Sequence, residues 1–141
     1  MAESLKLQVD LPVSPERVYR AWLDGYEHSR FTGSPASVEA RIGGRFTTRD
    51  GYIKGVTRVM TPYSRIVQTW RASDFPPGSP DSQIELKLEL TCLGSLLILE
   101  HTGIPDGQAK QYLDGWFEYY FSPMKAYFEE LVGEGAVDID G

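Results

Sequence analysis

The longest amphipathic pattern in the second half of the chain covers residues 113–131. Its apolar side chains recur at steps of three and four residues, which places them on one face of an α-helix. They are Leu113, Trp116, Phe117, Tyr120, Phe121, Met124, Tyr127, Phe128 and Leu131. Such a helix would extend roughly 28 Å at about 1.5 Å per residue, enough to cross one face of a β-sheet. Its aromatic face either fills a core or forms the wall of a cavity, and this choice bears on function.

Pro123 lies inside this helical pattern. Proline has no amide hydrogen, and its ring clashes with the carbonyl of the residue four positions earlier, here Tyr119. The sequence therefore predicts a kink at Pro123 or a break into two helices. Residues 133–141 are acidic and rich in glycine, and we expect them to form a flexible tail after a single domain over residues 1–132.

The beginning of the chain predicts one strand and two short helices. Apolar and polar residues alternate over 5–11, the pattern of a strand with one buried face. Ser14-Pro15-Glu16 is typical of a helix start, with a capping hydroxyl, an early proline and an acid in the first turn. Gly25 is expected to end this helix, and a second short helix is predicted over 26–31.

The middle of the chain predicts a series of antiparallel strands. The segments are 38–41, 45–49, 52–60, 65–71, 84–90 and 96–100. Asp50-Gly51 is the strongest short hairpin signal in the chain. Because one antiparallel sheet has one face to bury, and the long helix is the only sizeable cover, the sheet must curve around it. The predicted class is α+β: a curved antiparallel sheet of about six to seven strands on a long C-terminal helix, with two short helices after the first strand.

Composition excludes several classes of function. The 141 residues carry a formal net charge of −6, which disfavours nucleic acid and anionic membrane surfaces as partners. The N-terminus lacks the apolar core of a signal peptide, and no apolar run approaches the roughly 20 residues of a membrane span. A cytoplasmic protein is expected. Cys92 is the only cysteine, so an internal disulfide is excluded.

Several short motifs resemble the family of activators of the heat-shock protein 90 ATPase, in particular their C-terminal domain. The motifs are Ser14-Pro15-Glu16-Arg17-Val18-Tyr19, Gly43-Gly44-Arg45-Phe46, Asp50-Gly51 with Gly55, Ile66-Val67-Gln68-Thr69-Trp70-Arg71, Phe75-Pro76-Pro77-Gly78, His101-Thr102-Gly103-Ile104-Pro105 and Gly115-Trp116 with Tyr119-Tyr120-Phe121. Their order and spacing cover about residues 5–132. The resemblance implies a helix-grip domain of the START and Bet v 1 superfamily, with a cavity or groove between sheet and helix. Eukaryotic activators also have a separate N-terminal domain that contacts the chaperone, for which this chain is too short.

Catalytic and metal-binding patterns are weak. His28 and His101 are the only histidines and share no metal-ligand spacing, so structural roles are favoured for both and no cofactor is expected. His101 follows the last predicted strand, where it could hydrogen-bond a ligand at a cavity mouth. His101 with a carboxylate is the only acid–base pair that we can suggest, and Glu100, Asp114 and Glu118 are expected to be solvated charges. An enzyme is therefore not expected.

Aromatic residues are the best candidates for a ligand site. The candidate cavity residues are Trp22, Phe31, Phe46, Trp70, His101, Trp116 and Tyr120. The alternative is that they simply fill the core, because aromatic side chains bury large areas in any protein. The polar atoms of tyrosine and tryptophan favour a pocket with some polar lining.

Three functions remain open on this basis. The first is a non-enzymatic domain that binds a small hydrophobic ligand between sheet and helix. The second is a co-chaperone module that contacts a heat-shock chaperone through its surface. The third, an enzyme such as a cyclase or hydrolase, would need at least two polar groups that converge inside the cavity.

Overall fold

The computed structural model describes residues 2–133. Along the chain the elements are β1 (Glu3–Leu11), α1 (Pro15–Trp22), α2 (Gly25–Thr32), β2 (Ser37–Val38), β3 (Arg45–Thr48), β4 (Ile53–Thr61), β5 (Arg65–Ala72), β6 (Ser82–Thr91), β7 (Gly94–Ile104), α3 (Ala109–Gly115), a π-helical segment (Trp116–Phe121) and α4 (Ser122–Gly133). Apart from Gly133, which ends α4, the predicted tail lies outside the described residues.

The seven strands form one sheet in the order β1-β7-β6-β5-β4-β3-β2, and every neighbouring pair is antiparallel. This curved sheet confirms the predicted α+β helix-grip architecture. In β6 the alternation of apolar and polar residues matches the two faces of the strand: Ile84, Leu86 and Leu88 are buried, while Lys87 and Glu89 are exposed. The other predicted strands appear too, but β2 has two residues instead of four, because hydrogen bonds from Arg41 and Gly44 close a turn there.

Both short helices begin at a capping side chain. The Ser14 hydroxyl accepts a hydrogen bond from the Arg17 amide at 3.2 Å, as the Ser-Pro-Glu motif predicts. The Asp24 carboxylate accepts one from the Glu27 amide at 3.0 Å, which starts α2. The prediction that Gly25 ends α1 was wrong: α1 ends at Trp22, and Gly25 is the first residue of α2 because Asp24 caps it.

The C-terminal helix is longer than predicted and contains a change of helical type. The chain is helical from Ala109 to Gly133, but Trp116–Phe121 is π-helical. The Ser122 amide donates to the carbonyl of Phe117, five residues earlier, immediately before Pro123. The predicted disruption near Pro123 thus takes the form of a wider turn. This turn rotates Phe117, predicted to be buried, into solvent, where it is 46% exposed.

The core lies between the sheet and the helices. Strands β5, β6 and β7 contribute fully buried Ile66, Leu86 and Leu99. Opposite them, Met124 and Phe128 of α4 are also fully buried. Helices α1 and α2 bury Trp22 and Phe31 against the C-terminal helix at one end of this space, while the tip of the β3–β4 hairpin and α3 border the other end, beside Trp70. The candidate site lies at the end beside Trp70.

Candidate ligand-binding site

A half-open pocket of about 280 Å³ lies between the β3–β4 hairpin, β5 and the C-terminal helix. Its lining residues are Arg49, Tyr52, Ile53, Trp70, Gln111, Tyr112, Gly115, Trp116, Tyr119 and Tyr120. Trp70, Trp116 and Tyr120 are almost fully buried, whereas Tyr119 is 40% exposed. The pocket therefore has an aromatic floor and a more polar, accessible mouth.

The helical wall of the pocket is formed where α3 becomes the π-helical segment. Trp116 and Tyr120 come from this segment, and π turns often occur at functional sites. Gly115 precedes it with ordinary helical dihedral angles. A Cβ atom built at Gly115 would meet only the Tyr119 ring, at 3.8 Å. The missing side chain at Gly115 thus leaves space in the pocket.

A buried chain of hydrogen bonds fixes Trp116 and Trp70 at the floor. The Trp116 indole Nε1 donates to His101 Nδ1 at 3.1 Å, so the proton of the neutral imidazole is on Nε2. Nε2 then donates to Ser82 Oγ at 2.8 Å, and Ser82 donates to the carbonyl of Trp70 at 2.7 Å. Burial lowers the pKa of His101 to about 3, which keeps the ring neutral.

A second buried network fixes Tyr120. His28 Nδ1 donates to the carbonyl of Trp22 at 2.8 Å, so its Nε2 accepts a hydrogen bond from the Tyr120 hydroxyl at 2.8 Å. The Thr48 hydroxyl donates to the same Tyr120 oxygen at 2.7 Å. Burial lowers the pKa of His28 to about 4, although the hydrogen bond to Trp22 raises it. This network connects the helical wall to α2 and to β3.

Arg49 lies at the mouth of the pocket, at the start of the tight β3–β4 turn. Its guanidinium carbon is 3.7 Å from the centre of the Tyr119 ring and 5.2 Å from that of Tyr52. Arg49, Asp50 and Gly51 all have positive φ, of 53°, 58° and 86°. The Asp50-Gly51 turn thus confirms the predicted hairpin and also directs Arg49 to the pocket.

Polar side chains hold the rest of the rim. The Tyr52 hydroxyl donates to Asp74 Oδ2 at 2.6 Å, and Gln111 donates to the same oxygen at 3.3 Å. The Tyr112 hydroxyl donates to Gln108 Oε1 at 2.9 Å. Burial raises the pKa of Tyr112 above its usual value, so its hydroxyl stays neutral. The rim therefore connects the hairpin to α3 through neutral donors and one carboxylate.

Three of the seven candidate cavity residues line this pocket, namely Trp70, Trp116 and Tyr120. His101 lies directly behind them as a support. Trp22, Phe31 and Phe46 do not line the pocket, and all three are buried in the packed part of the interior. Their role in ligand binding stays a prediction.

The structure corrects the position that we assigned to His101. It lies inside β7, not beyond the last strand, because β7 extends to Ile104. His101 is fully buried, and both ring nitrogens bond to protein groups, so a ligand could bond to it only by displacing one of them. The suggested carboxylate partner is also absent among residues 2–133.

The remaining lining residues were not recognised from the sequence. They are Arg49, Tyr52, Ile53, Gln111, Tyr112, Gly115 and Tyr119. Two signals could have identified part of this set. Arg49 immediately precedes the Asp50-Gly51 turn, and Gly115 is the one residue without a side chain next to the aromatic run of the helix.

The described residues offer little for metal or acid–base chemistry. Within residues 2–133, no group of histidine, cysteine and acidic side chains is arranged to hold a metal ion. Glu100 pairs with Lys6 at 3.7 Å, and Asp114 pairs with Lys110 at 3.4 Å, both at the surface. Cys92 is exposed. The pocket is therefore equipped for contacts with aromatic faces and polar edges.

Together, the fold and the pocket define a class of protein. A curved seven-stranded antiparallel sheet against a long C-terminal helix is the helix-grip arrangement of START and Bet v 1-like proteins. A family model described as "Activator of Hsp90 ATPase homolog 1-like protein" matches residues 12–129. The chain belongs to this family, which confirms the resemblance seen in its motifs.

Curated relatives carry the same description. Human "Activator of 90 kDa heat shock protein ATPase homolog 1" is 33% identical over 115 residues, which cover 82% of this chain and 34% of the human protein. A Dictyostelium discoideum homolog is 31% identical over 116 residues, which cover 81% of this chain and 30% of that protein. The chain thus spans about a third of the length of these curated relatives.

Solved structures share the fold. The crystal structure of an HSP90 activator from Plasmodium falciparum has a TM-score of 0.77 at 23% identity, and the match covers 90% of this chain and 95% of that chain. A Chromobacterium violaceum protein has a TM-score of 0.72 at 25% identity, with 89% and 97% covered. Among residues 2–133, no helix has the length and apolar character to cross a bilayer.

Proposed function

We propose that this domain binds a small, largely aromatic molecule in the pocket between the β3–β4 hairpin and the C-terminal helix, and that its role is binding, not catalysis. The observation that carries the proposal is the open volume of about 280 Å³ against the buried rings of Trp70, Trp116 and Tyr120. Concave, mostly apolar sites with a few polar groups are the usual form of small-molecule sites.

The walls of the pocket are held in place before any ligand arrives. Trp116 is fixed by His101, and Tyr120 is fixed by His28 and Thr48, all through buried hydrogen bonds. Their rings therefore lose little freedom when a ligand packs against them. Such preorganisation reduces the entropic cost of binding and supports a specific site over a loosely packed core.

The size of the pocket restricts the ligand. Pockets for drug-sized ligands measure roughly 300–1,000 Å³, so this pocket, at about 280 Å³, lies just below that range. It suits a compact ring system, while a sterol or a diacyl lipid would need the helix to move. The aromatic walls favour a ring that can stack or make edge contacts.

Gly115 provides a direct test of this proposal. Gly115→Leu should fill the pocket from the helical wall, whereas Gly115→Ala adds only the Cβ atom that the site accommodates. We expect naphthalene-ring compounds to bind the parent protein and the alanine variant in ligand-observed NMR, and to lose binding to the leucine variant. Failure of every compound to bind the parent protein, or equal binding to the leucine variant, would contradict the proposal.

A second candidate function is a co-chaperone that stimulates a 90 kDa heat-shock chaperone ATPase. It is supported by the description of the human and Dictyostelium discoideum relatives, of which this chain matches about a third. A coupled ATPase assay with the chaperone tests it, and stimulation at saturating protein is the supporting result. A surface mechanism predicts that Gly115→Leu stimulates as well as the parent chain. No stimulation would remove this candidate.

A further inference from the structure

Arg49 is a cation at the pocket mouth without an anionic partner among residues 2–133. The ion pairs in this part of the chain involve other arginines and lysines, and no described hydrogen bond uses the Arg49 guanidinium. The side chain is half-buried and lines the pocket. A partly desolvated cation in this position is suited to pair with an incoming anion.

The geometry of Arg49 leaves its hydrogen-bond donors available. The guanidinium carbon lies over the Tyr119 and Tyr52 rings, and no hydrogen bond among the described residues uses the N–H donors of this group. The two rings therefore position the cation without occupying its donors. A planar guanidinium matches the two oxygens of a carboxylate in a paired arrangement that a lysine cannot reproduce.

The charge of Arg49 acts inside the pocket. Burial raises the pKa of Tyr120 above its usual value, while the Thr48 hydrogen bond and the positive charge of Arg49 lower it. Trp70 offers a second donor. Its indole N–H has no hydrogen-bond acceptor among the described residues, and this N–H is not fully buried. An anion bound near Arg49 thus meets a favourable field at the aromatic floor.

Two sources of negative charge also act on a ligand at this site. Asp74 lies at the rim, but its Oδ2 already accepts hydrogen bonds from Tyr52 and Gln111. The chain has a net charge of −6, yet at physiological salt its distant charges are screened beyond about 8 Å. Among the lining residues Arg49 is the only charged one, whereas Asp74, whose charge adds to burial in raising the pKa of Tyr52 and Tyr112, lies outside the lining.

We propose that the pocket selects aromatic molecules that carry a carboxylate or a similar planar anion, with the ring between Trp70, Trp116 and Tyr120 and the anion paired with Arg49. This inference rests on the proposed binding function and adds the class of ligand. A cationic aromatic ligand would place a second positive charge beside Arg49 and is disfavoured for that reason.

Three probes with one ring system test the selectivity. Isothermal titration of the full chain with 2-naphthoate, 2-naphthamide and 2-naphthylmethylammonium compares an anion, a neutral isostere and a cation. We expect 2-naphthoate to bind roughly tenfold to a hundredfold more tightly than the amide, the range for one charged hydrogen-bonding pair. The ammonium compound should bind most weakly. Equal binding of acid and amide, or tightest binding of the cation, would overturn the inference.

Arg49 variants connect this preference to one residue. Arg49→Gln should reduce 2-naphthoate affinity to that of the amide without weakening the amide, and Arg49→Lys should retain part of the preference. Arg58→Gln is the matched control, because it changes the net charge equally at an exposed position outside the pocket.

A preference for the acid over the amide that survives in Arg49→Gln would overturn the inference. If the amide binds as well as the acid and Gly115→Leu abolishes both, only the anion preference fails. If no probe binds, the proposed function fails with it.

Discussion

Both ends of the space between sheet and helix contain aromatic side chains, but one end is buried core and the other borders an open pocket. At one end, here called the solid end, Trp22 and Phe31 pack 6.2 Å apart between α1, α2 and the long helix, and both are almost fully buried. At the other end, Trp70 and Trp116 lie 5.8 Å apart beside an open pocket. The aromatic residues thus lie in the buried core where α1 and α2 pack beside them, and they border a pocket next to the hairpin tip, with Trp116 and Tyr120 in contact with both groups.

Truncating one ring at each end should produce the largest difference in stability. Phe31→Ala removes a buried ring from the solid end, and we expect it to lower the free energy of unfolding by about 3–5 kcal/mol. Tyr119→Ala removes a half-exposed ring from the pocket rim and should change that free energy by less than about 1 kcal/mol. Guanidinium denaturation measures both. Similar losses for the two variants would contradict the division into a solid and an open end.

The two buried histidines should make stability fall in mild acid. Both pKa values are depressed in the folded state, to about 4 for His28 and about 3 for His101, so the unfolded chain binds more protons. Keeping the buried imidazoles neutral therefore costs no stability above the unfolded-state pKa, near 6.5. As the pH falls from there toward the folded-state pKa values, the protein loses stability. Between pH 7 and pH 5, each histidine should lower the free energy of unfolding by about 2 kcal/mol.

Substituting each histidine in turn shows how much of this pH dependence comes from His28 and how much from His101. His28→Gln and His101→Gln lose stability at pH 7 because they break hydrogen bonds, so the informative quantity is the difference in free energy between pH 7 and pH 5. Each variant should reduce that difference by about 2 kcal/mol relative to the parent protein. An unchanged difference in either variant would show that the corresponding imidazole is not held neutral.

The smallest expected effect is a gain of stability at the pocket wall. Gly115→Ala should raise the free energy of unfolding by about 0.5–1 kcal/mol, because alanine favours the helix and its Cβ has room. At the sheet, Gly55→Ala should have the opposite sign, because its Cβ would clash with the backbone carbonyl oxygen of Thr69 and lie 2.7 Å from the Phe46 ring. Thermal unfolding of both variants measures the contrast, and a destabilised Gly115→Ala would indicate that the wall is already filled.

Most elements of the fold could be predicted from short patterns of neighbouring residues. Alternation along β6, the Asp50-Gly51 turn and the Ser14 cap each predict an element from a few neighbouring residues. The change to a π-helix was less visible. Pro123 indicates a disturbance, but the choice between a kink and a wider turn depends on packing against the sheet. The amphipathic pattern therefore places Phe117 on the buried side of the helix, whereas the structure exposes it.

The pocket was harder to predict, because it depends on distances between elements that are far apart in the sequence. Trp70, Trp116 and Tyr120 were recognised as aromatic, but so were Trp22 and Phe31, which the structure places in the solid end. Residue type alone does not separate the two groups. The separation depends on which elements pack beside each ring: His28 of α2 packs against Trp22 and also bonds to Tyr120, whereas Trp70 lies beside α3 and the hairpin tip.

The three tryptophans provide the most direct test of the division between the two ends. Nitrogen-labelled protein gives one indole N–H signal for each, which can be followed in two-dimensional NMR while 2-naphthoate is added. We expect large shifts for Trp70 and Trp116, which line the pocket, and a much smaller shift for Trp22. Three unmoved signals, or the largest shift at Trp22, would contradict this division.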